Sequence, residues 1–346
     1  MDTATVLQIL KTITGILGIA GNGLVCVVIA KVPAMRTLTN TFIFNQALVD
    51  FLASLSMILQ SNIHISSLSP NRVIAFLQCN VWETSLILWT FFTASTFNLV
   101  LLTSERYFAI VYPFRYLAYF SIRRATAMIV VVWLLAIGYK FHIVVYHQIE
   151  KGECVPATLS KTALRVDGTI TFLIEYLLPL IFMASCYIHI ILQLKKASSI
   201  VHAEPSTSQQ GDNSMSGSLL RARRNTLKTL FIVFLTYTIC WSPSQIAFFM
   251  YNFGLDLNLQ GAFFIIFVVL AQLNSCVNPV IYAFKYKQFQ RGARALLKSC
   301  FPSLTEPRNE DNVGLSIIVR SKTQAKSAKQ GPTTNNGADS KSAETG

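Results

Sequence analysis

Charge is scarce in this chain. Asp, Glu, Lys and Arg together make up 13% of the 346 residues while apolar residues reach 52%, and a soluble domain ordinarily carries about 25% charge. Polar surface is too small to keep a body of this size folded in water. Acid is scarcest, with 16 Asp+Glu against 29 Lys+Arg and a net charge of +13. The amino-terminal residues lack the basic start and the Ala-x-Ala-like site of a cleavable signal, so the first apolar stretch reads as a true membrane helix. They also lack an Asn-x-Ser/Thr acceptor. No internal repeat appears, which argues against a transporter built from paired halves. No soluble domain, metal-ligand cluster or nucleophile–base arrangement appears either, and His64, His142, His147, His189 and His202 are scattered. An enzyme is not expected.

Long apolar runs are what the chain has instead. A hydrocarbon layer about 30 Å thick needs roughly 20 apolar helical residues. Seven windows qualify: Ile9–Ala30, Thr39–Gln60, Val81–Val111, Ala125–Tyr146, Thr169–Leu194, Leu227–Phe253 and Ala262–Tyr282. None shows the alternation of a membrane β-strand. The expected fold is an all-α membrane protein, a seven-transmembrane helix bundle. Of the 29 Lys+Arg, 23 fall on one side of that topology: Lys31 and Arg36, Arg106 to Arg124, Lys195 to Lys228, and those from Lys285 onward. The positive-inside rule then places the N-terminus of a multi-pass membrane protein outside and its C-terminal tail in the cytoplasm. The basic excess faces anionic membrane lipid, and no nucleic acid is implied.

Several polar residues interrupt the apolar runs. Cys79 and Cys154 alone among seven cysteines fall on the oxidising side. A disulfide between them would staple the second outer loop over the bundle; two free thiols are the alternative. Asp50 lies near the midplane of span two, with Ser95 on span three, Asn274 and Asn278 on span seven and Asn22 on span one at similar depth. This cluster is either a hydrogen-bond network joining helices or a monovalent-cation site centred on Asp50. Span three ends in Ser104-Glu105-Arg106-Tyr107, ionisable residues where an apolar helix leaves the membrane. Pro179, Pro243 and Pro279 lie inside apolar helices, where each frees a carbonyl and bends its helix.

Taken in order, these pieces resemble a rhodopsin-like (class A) G-protein-coupled receptor along residues 10–300. The matching segments are Gly21-Asn22-Gly23-Leu24-Val25, Asn45 to Asp50, Glu105-Arg106-Tyr107, Trp133, Pro179 with Tyr187, Cys240-Trp241-Ser242-Pro243, and Asn278-Pro279-Val280-Ile281-Tyr282. The resemblance implies that Glu105 holds Arg106 at rest and that Arg106 later meets a heterotrimeric G protein as helix six moves outward. Trp241 would sense ligand from the pocket floor, and Tyr187 and Tyr282 would swing toward Arg106. Asp50, Ser95, Asn274 and Asn278 would hold a sodium ion as an allosteric modulator, with no other cofactor. Residues after Phe284 would form a short amphipathic eighth helix with Phe289, Ala293 and Leu296/Leu297 toward lipid. Cys300 would follow as a palmitoylation site, a free cytoplasmic thiol being the alternative. The domain plan is then a short extracellular segment over 1–8, a receptor domain over 9–299 with an unstructured inner loop at 197–220, and an unstructured tail over 300–346. Arrestin and a receptor kinase are expected partners of the Ser/Thr-rich tail.

Departures from the pattern carry information. Cys79 lies two residues farther from Arg106 than the family usually shows, so the outer start of span three should be lengthened or bulged. Arg223-Arg224-Asn225 at the base of span six offers Arg106 no acid, so Glu105 alone is expected to restrain it, which predicts loose latching and ligand-free signalling. Leu88 stands where amine receptors carry aspartate, and Gln272 where opsins carry lysine, which argues against an amine or a retinal ligand. The expected pocket is Gln60, His64, Trp89, Phe92, Glu175, Trp241, Gln245, Phe248 and Gln272, aromatic and amide-rich with one acid. Glu175 either receives a cationic ligand group or pairs internally with Lys140. An extracellular peptide or peptide-like agonist is expected, in the manner of a neuropeptide receptor; a non-peptide small molecule or lipid is the alternative.

Overall fold

A computed structural model describes the backbone of residues 3–203, 212–257 and 262–300; side chains are not described at 3–4, 196–203, 212–226, 262–265, 268 and 300. The described residues up to 296 form one compact unit, and 297–300 are the described part of a second. Seven long helices make the bundle: Thr3–Lys31, Leu38–Asn62, Leu86–Val111, Ile122–Lys140, Leu178–Ala203 with its leading segment Lys161–Phe172, Asp212–Asn252 and Ala262–Lys285. Six of them are long and apolar enough by described residues alone to cross a membrane. The outward surfaces carry exposed Ile, Leu, Val and Phe, as at Leu134, Leu135, Ile181 and Ile188, which suits a lipid surrounding.

Side-chain caps mark where spans begin. Thr37, Ser121 and Ser160 each accept a hydrogen bond from a backbone N–H three residues on, at the starts of spans two, four and five. Spans one and two approach closely because Gly15 and Gly18 face Ile58 and Ser54, where any Cβ would collide. A Cβ on Gly21 would come within 2.9 Å of Pro279 on span seven. Small residues thus set the spacing of span one against its two neighbours.

The start of span three is irregular, as its long Cys79–Arg106 spacing predicts. A short helix, Arg72–Phe76, passes into a π-helical stretch, Leu77–Glu83. Ser85, at a left-handed φ of 55°, then separates this from the regular helix. Cys79 in the π stretch is disulfide-bonded to Cys154, with Cα atoms 5.4 Å apart. Cys154 lies on strand β2 (Glu153–Pro156), paired antiparallel with β1 (His147–Glu150). The two-residue turn between them, Lys151-Gly152, has φ of 51° and 83°, positive at both positions as a tight hairpin demands.

Two expectations need correction. The inner loop is shorter than 197–220, because helix continues through Ala203 and resumes at Asp212. Residues 196–203 contain neither Gly nor Pro, so an established helix propagates through them; residues 204–211 lie outside the described residues. In the eighth helix, Lys287–Cys300, Phe289 is buried and Ala293 and Leu296 pack on the bundle core, not toward lipid. Helical period reveals an apolar face but not the apolar partner that covers it. The side chain of Cys300 and the tail over 301–346 lie outside the described residues.

Candidate functional site

Three polar clusters run along the bundle. At the end away from the disulfide, Glu105 is fully buried and forms an ion pair with Arg106. Its carboxylate also accepts from the Tyr116 hydroxyl at 2.7 Å and from Thr39 Oγ1 at 3.2 Å. Arg106 in turn donates to Thr39 Oγ1. Thr39 begins span two, and Tyr116 sits on the short helix Pro113–Tyr119. The expectation that Glu105 alone restrains Arg106 is therefore corrected: elements before and after span three both clasp the pair. The side chains of Arg223, Arg224 and Asn225 lie outside the described residues. Tyr107 hydrogen-bonds His189 Nδ1 on span five at 2.9 Å. Tyr187 packs against Phe231 and Phe234 of span six, each with ring centroids 5.4 Å away. Tyr282 is buried beside Tyr286 and Phe289, its hydroxyl without a described partner.

The second cluster lies midway. Asp50, fully buried, accepts from Ser95 Oγ at 3.0 Å on one carboxylate oxygen. Its other oxygen accepts from Asn278 Nδ2 at 2.8 Å and Gln46 Nε2 at 3.2 Å. Asn22 and Asn274, placed with Asp50 by depth, are buried too; Asn22 donates to the Ser275 carbonyl at 2.7 Å. Four oxygens here have no described partner: Asn22 Oδ1, Asn274 Oδ1, Asn278 Oδ1 and Ser275 Oγ. Sequence reasoning missed Gln46 and Asn98. The available signal was spacing, since Gln46 is one turn before Asp50 and Asn98 is three residues after Ser95.

The third cluster faces the disulfide end. Phe92 meets Trp241 edge-on at 5.3 Å, and Trp89 meets Phe92 at 5.9 Å. Glu175, buried, forms an ion pair with buried Lys140 and accepts from Thr93 Oγ1 at 2.9 Å. Lys140 also lies 5.7 Å from the Trp89 ring centroid and 5.3 Å from that of Tyr139. Of the two readings of Glu175, the internal pair with Lys140 is the one that this structure contains. Glu175 sits in a π turn, Leu173–Leu177, whose irregular hydrogen bonding leaves the Glu175 carbonyl open to the Tyr237 hydroxyl at 2.6 Å. The adjacent Tyr176 reaches Ser242 at 2.5 Å, so one turn of span five grips span six on both sides of Trp241. Trp241 Nε1, Gln245 Oε1 and Gln272 Oε1 are buried without described partners. Gln60 and Phe248 are half-buried, and His64 is exposed beyond the end of span two.

Against known proteins, a model of the seven-transmembrane receptors of the rhodopsin family matches residues 21–282. The chain belongs to the rhodopsin family of receptors. Human neuromedin-U receptor 2 is 27% identical over 300 residues, covering 82% of this chain and 69% of that protein. The mouse neuromedin-U receptor 2 is 26% identical over 321 residues, covering 87% and 78% respectively. The receptor is thus a multi-pass membrane protein and not an enzyme, with neuropeptide receptors among its relatives. A sodium ion, which the family implies at Asp50, meets oxygen ligands of the right hardness. Asp50, Ser95, Asn274 and Asn278 would hold it, and the unpartnered Asn274 Oδ1 and Asn278 Oδ1 are acceptors open to it. Gln46 adds a donor on Asp50 from outside this ligand set.

Proposed function

We propose that this receptor binds an extracellular peptide or peptide-like ligand in the cleft around Trp241 and activates a heterotrimeric G protein at Arg106 by outward movement of span six. The relatives named for neuromedin U support a peptide. The observation that carries the proposal is the set of buried polar atoms on spans six and seven without described partners: Trp241 Nε1, Gln245 Oε1 and Gln272 Oε1. Unpaired buried polar groups are costly and call for a partner from outside the fold. They offer one donor and two acceptors without charge, suited to the amide groups of a peptide. Glu175 is already compensated by Lys140, so a cationic ligand group would have to displace an ammonium to reach it.

Binding beside Trp241 would act on span six where the Tyr176–Ser242 and Tyr237–Glu175 hydrogen bonds tie it to span five, and span six carries Phe231 and Phe234 against Tyr187 toward the Arg106 end. In this reading the N-terminus is outside, the protein lies in the plasma membrane, and sodium at Asp50 modulates the switch. Arrestin, a receptor kinase and lipid attached at Cys300 act on the cytoplasmic side. A library of peptides and small molecules, neuromedin U included, screened in cells with a promiscuous G protein tests the proposal. Ligand-dependent G-protein dissociation, lost in Gln272→Leu at unchanged surface expression, is the expected result. A responding ligand indifferent to Gln245 and Gln272 substitution would place binding elsewhere.

A further inference from the structure

The side-chain amide of Gln46 reaches two of the groups assigned to sodium. Its Nε2 lies 2.5 Å from Ser95 Oγ and 3.2 Å from Asp50 Oδ2. Its N–H groups therefore present partial positive charge between a carboxylate and a hydroxyl oxygen, the place and the electrostatic role of a bound cation. An amide can be turned about so that oxygen and nitrogen exchange places, so its direction needs a physical cause.

That cause begins at Trp133. An indole N–H can only donate, and Trp133 Nε1 lies 3.1 Å from Asn45 Oδ1. With its oxygen turned to the indole, Asn45 directs its NH2 to Asn98 Oδ1 at 2.9 Å. Asn98 then directs its own NH2 to the Phe42 carbonyl at 3.1 Å and to Gln46 Oε1 at 2.8 Å. With that oxygen engaged, Gln46 has only donors left for Ser95 and Asp50. Each amide orients the next, from a donor on span four through spans two and three to the buried acid. Asn45, Gln46, Asp50 and Asn98 are all at most 4% exposed, so water does not compete for these bonds.

We propose that Gln46 is a built-in competitor of the cation: its amide, held donor-inward by the Trp133–Asn45–Asn98 relay, satisfies Asp50 and lowers the receptor's affinity for sodium. The inference rests on the reading of Asp50 as a sodium site. To bind the ion, the receptor must give up the N–H bonds from Gln46 to Asp50 and Ser95. A hydrogen bond to a charged group contributes enough that its loss shifts an equilibrium about tenfold or more.

The test is thermal unfolding of the purified, ligand-free, full-length receptor across a sodium titration, choline replacing sodium at constant ionic strength. An ion that binds only the folded state raises the unfolding temperature with a midpoint set by its affinity. Gln46→Leu, which removes the competitor, should move that midpoint to sodium concentrations about tenfold lower. Asn98→Leu should also lower it, because Gln46, freed at its oxygen, can turn that oxygen toward the ion. Asp50→Asn should abolish the response. Gln46→Met, close in length to the native side chain, carries the same test if the leucine variant fails to fold. Equal midpoints in wild type and the Gln46 variants would overturn the competitor role while leaving the sodium site standing. A receptor indifferent to sodium in every variant would remove the site itself, and the competitor with it.

Discussion

Lys140 and Glu175 put two opposite charges 3% and 6% exposed within one bundle, and removing one of them is the sharpest test of how this end of the bundle is built. Breaking a buried pair leaves a charge without compensation, at about 3–5 kcal/mol. The two halves differ in what remains. Lys140→Met strands the Glu175 carboxylate with the Thr93 hydroxyl alone, and the full penalty is expected. Glu175→Gln leaves Lys140 an amide oxygen and the rings of Trp89 and Tyr139, 5.7 and 5.3 Å away. Each ring offers a desolvated cation about 0.5–2 kcal/mol, so a smaller loss of about 1–3 kcal/mol is expected. The double variant Lys140→Met with Glu175→Leu buries no charge, and should recover most of the sum. Thermal unfolding of purified receptor, followed by a thiol-reactive fluorophore as buried Cys186, Cys240 and Cys276 become accessible, reads all four proteins. Agonist potency in Glu175→Gln should follow surface expression. Additive single losses in the double variant, or single variants within about 0.5 kcal/mol of wild type, would refute the reasoning.

Four further outcomes are expected. Cys79→Ser opens a link across a sequence separation of 75 residues and should cost up to about 4 kcal/mol, seen as a lower unfolding temperature and reduced surface expression. Gly18→Ala drives a methyl onto Ser54, whose hydroxyl is tied to the Asp50 carbonyl at 2.7 Å, and should destabilise by about 1–3 kcal/mol. Gly138→Ala meets nothing within 4 Å and should be neutral or stabilising by up to about 1 kcal/mol. Tyr116→Phe removes one of the donors that hold Glu105 and should raise ligand-free second-messenger output several-fold over wild type at matched expression; unchanged output would show that Tyr116 does not latch the pair.

What the amino-acid sequence determined by itself is whatever depends on distance along one helix. Seven apolar windows gave seven spans because a bilayer demands the same length of every helix. The depth of Asp50 and Ser95 followed from residue counting, as did the irregular start of span three from the extra residues between Cys79 and Arg106. Tertiary structure alone decided which side chain on another helix each polar group meets. Glu175 had two readings until the packing of span four on spans three and five brought Lys140 to it. Glu105 gained Thr39 and Tyr116 only when the start of span two and the helix after span three closed on it. Gln46 reads as an unremarkable polar residue one turn from Asp50, and its donor-inward setting depends on Asn98, Asn45 and Trp133, up to 88 residues apart in sequence. Period and composition define a helix face, but rotation and crossing angle decide what that face touches. Those angles follow from the packing of small residues such as Gly18 and Gly21 against neighbouring spans, a property of no single segment.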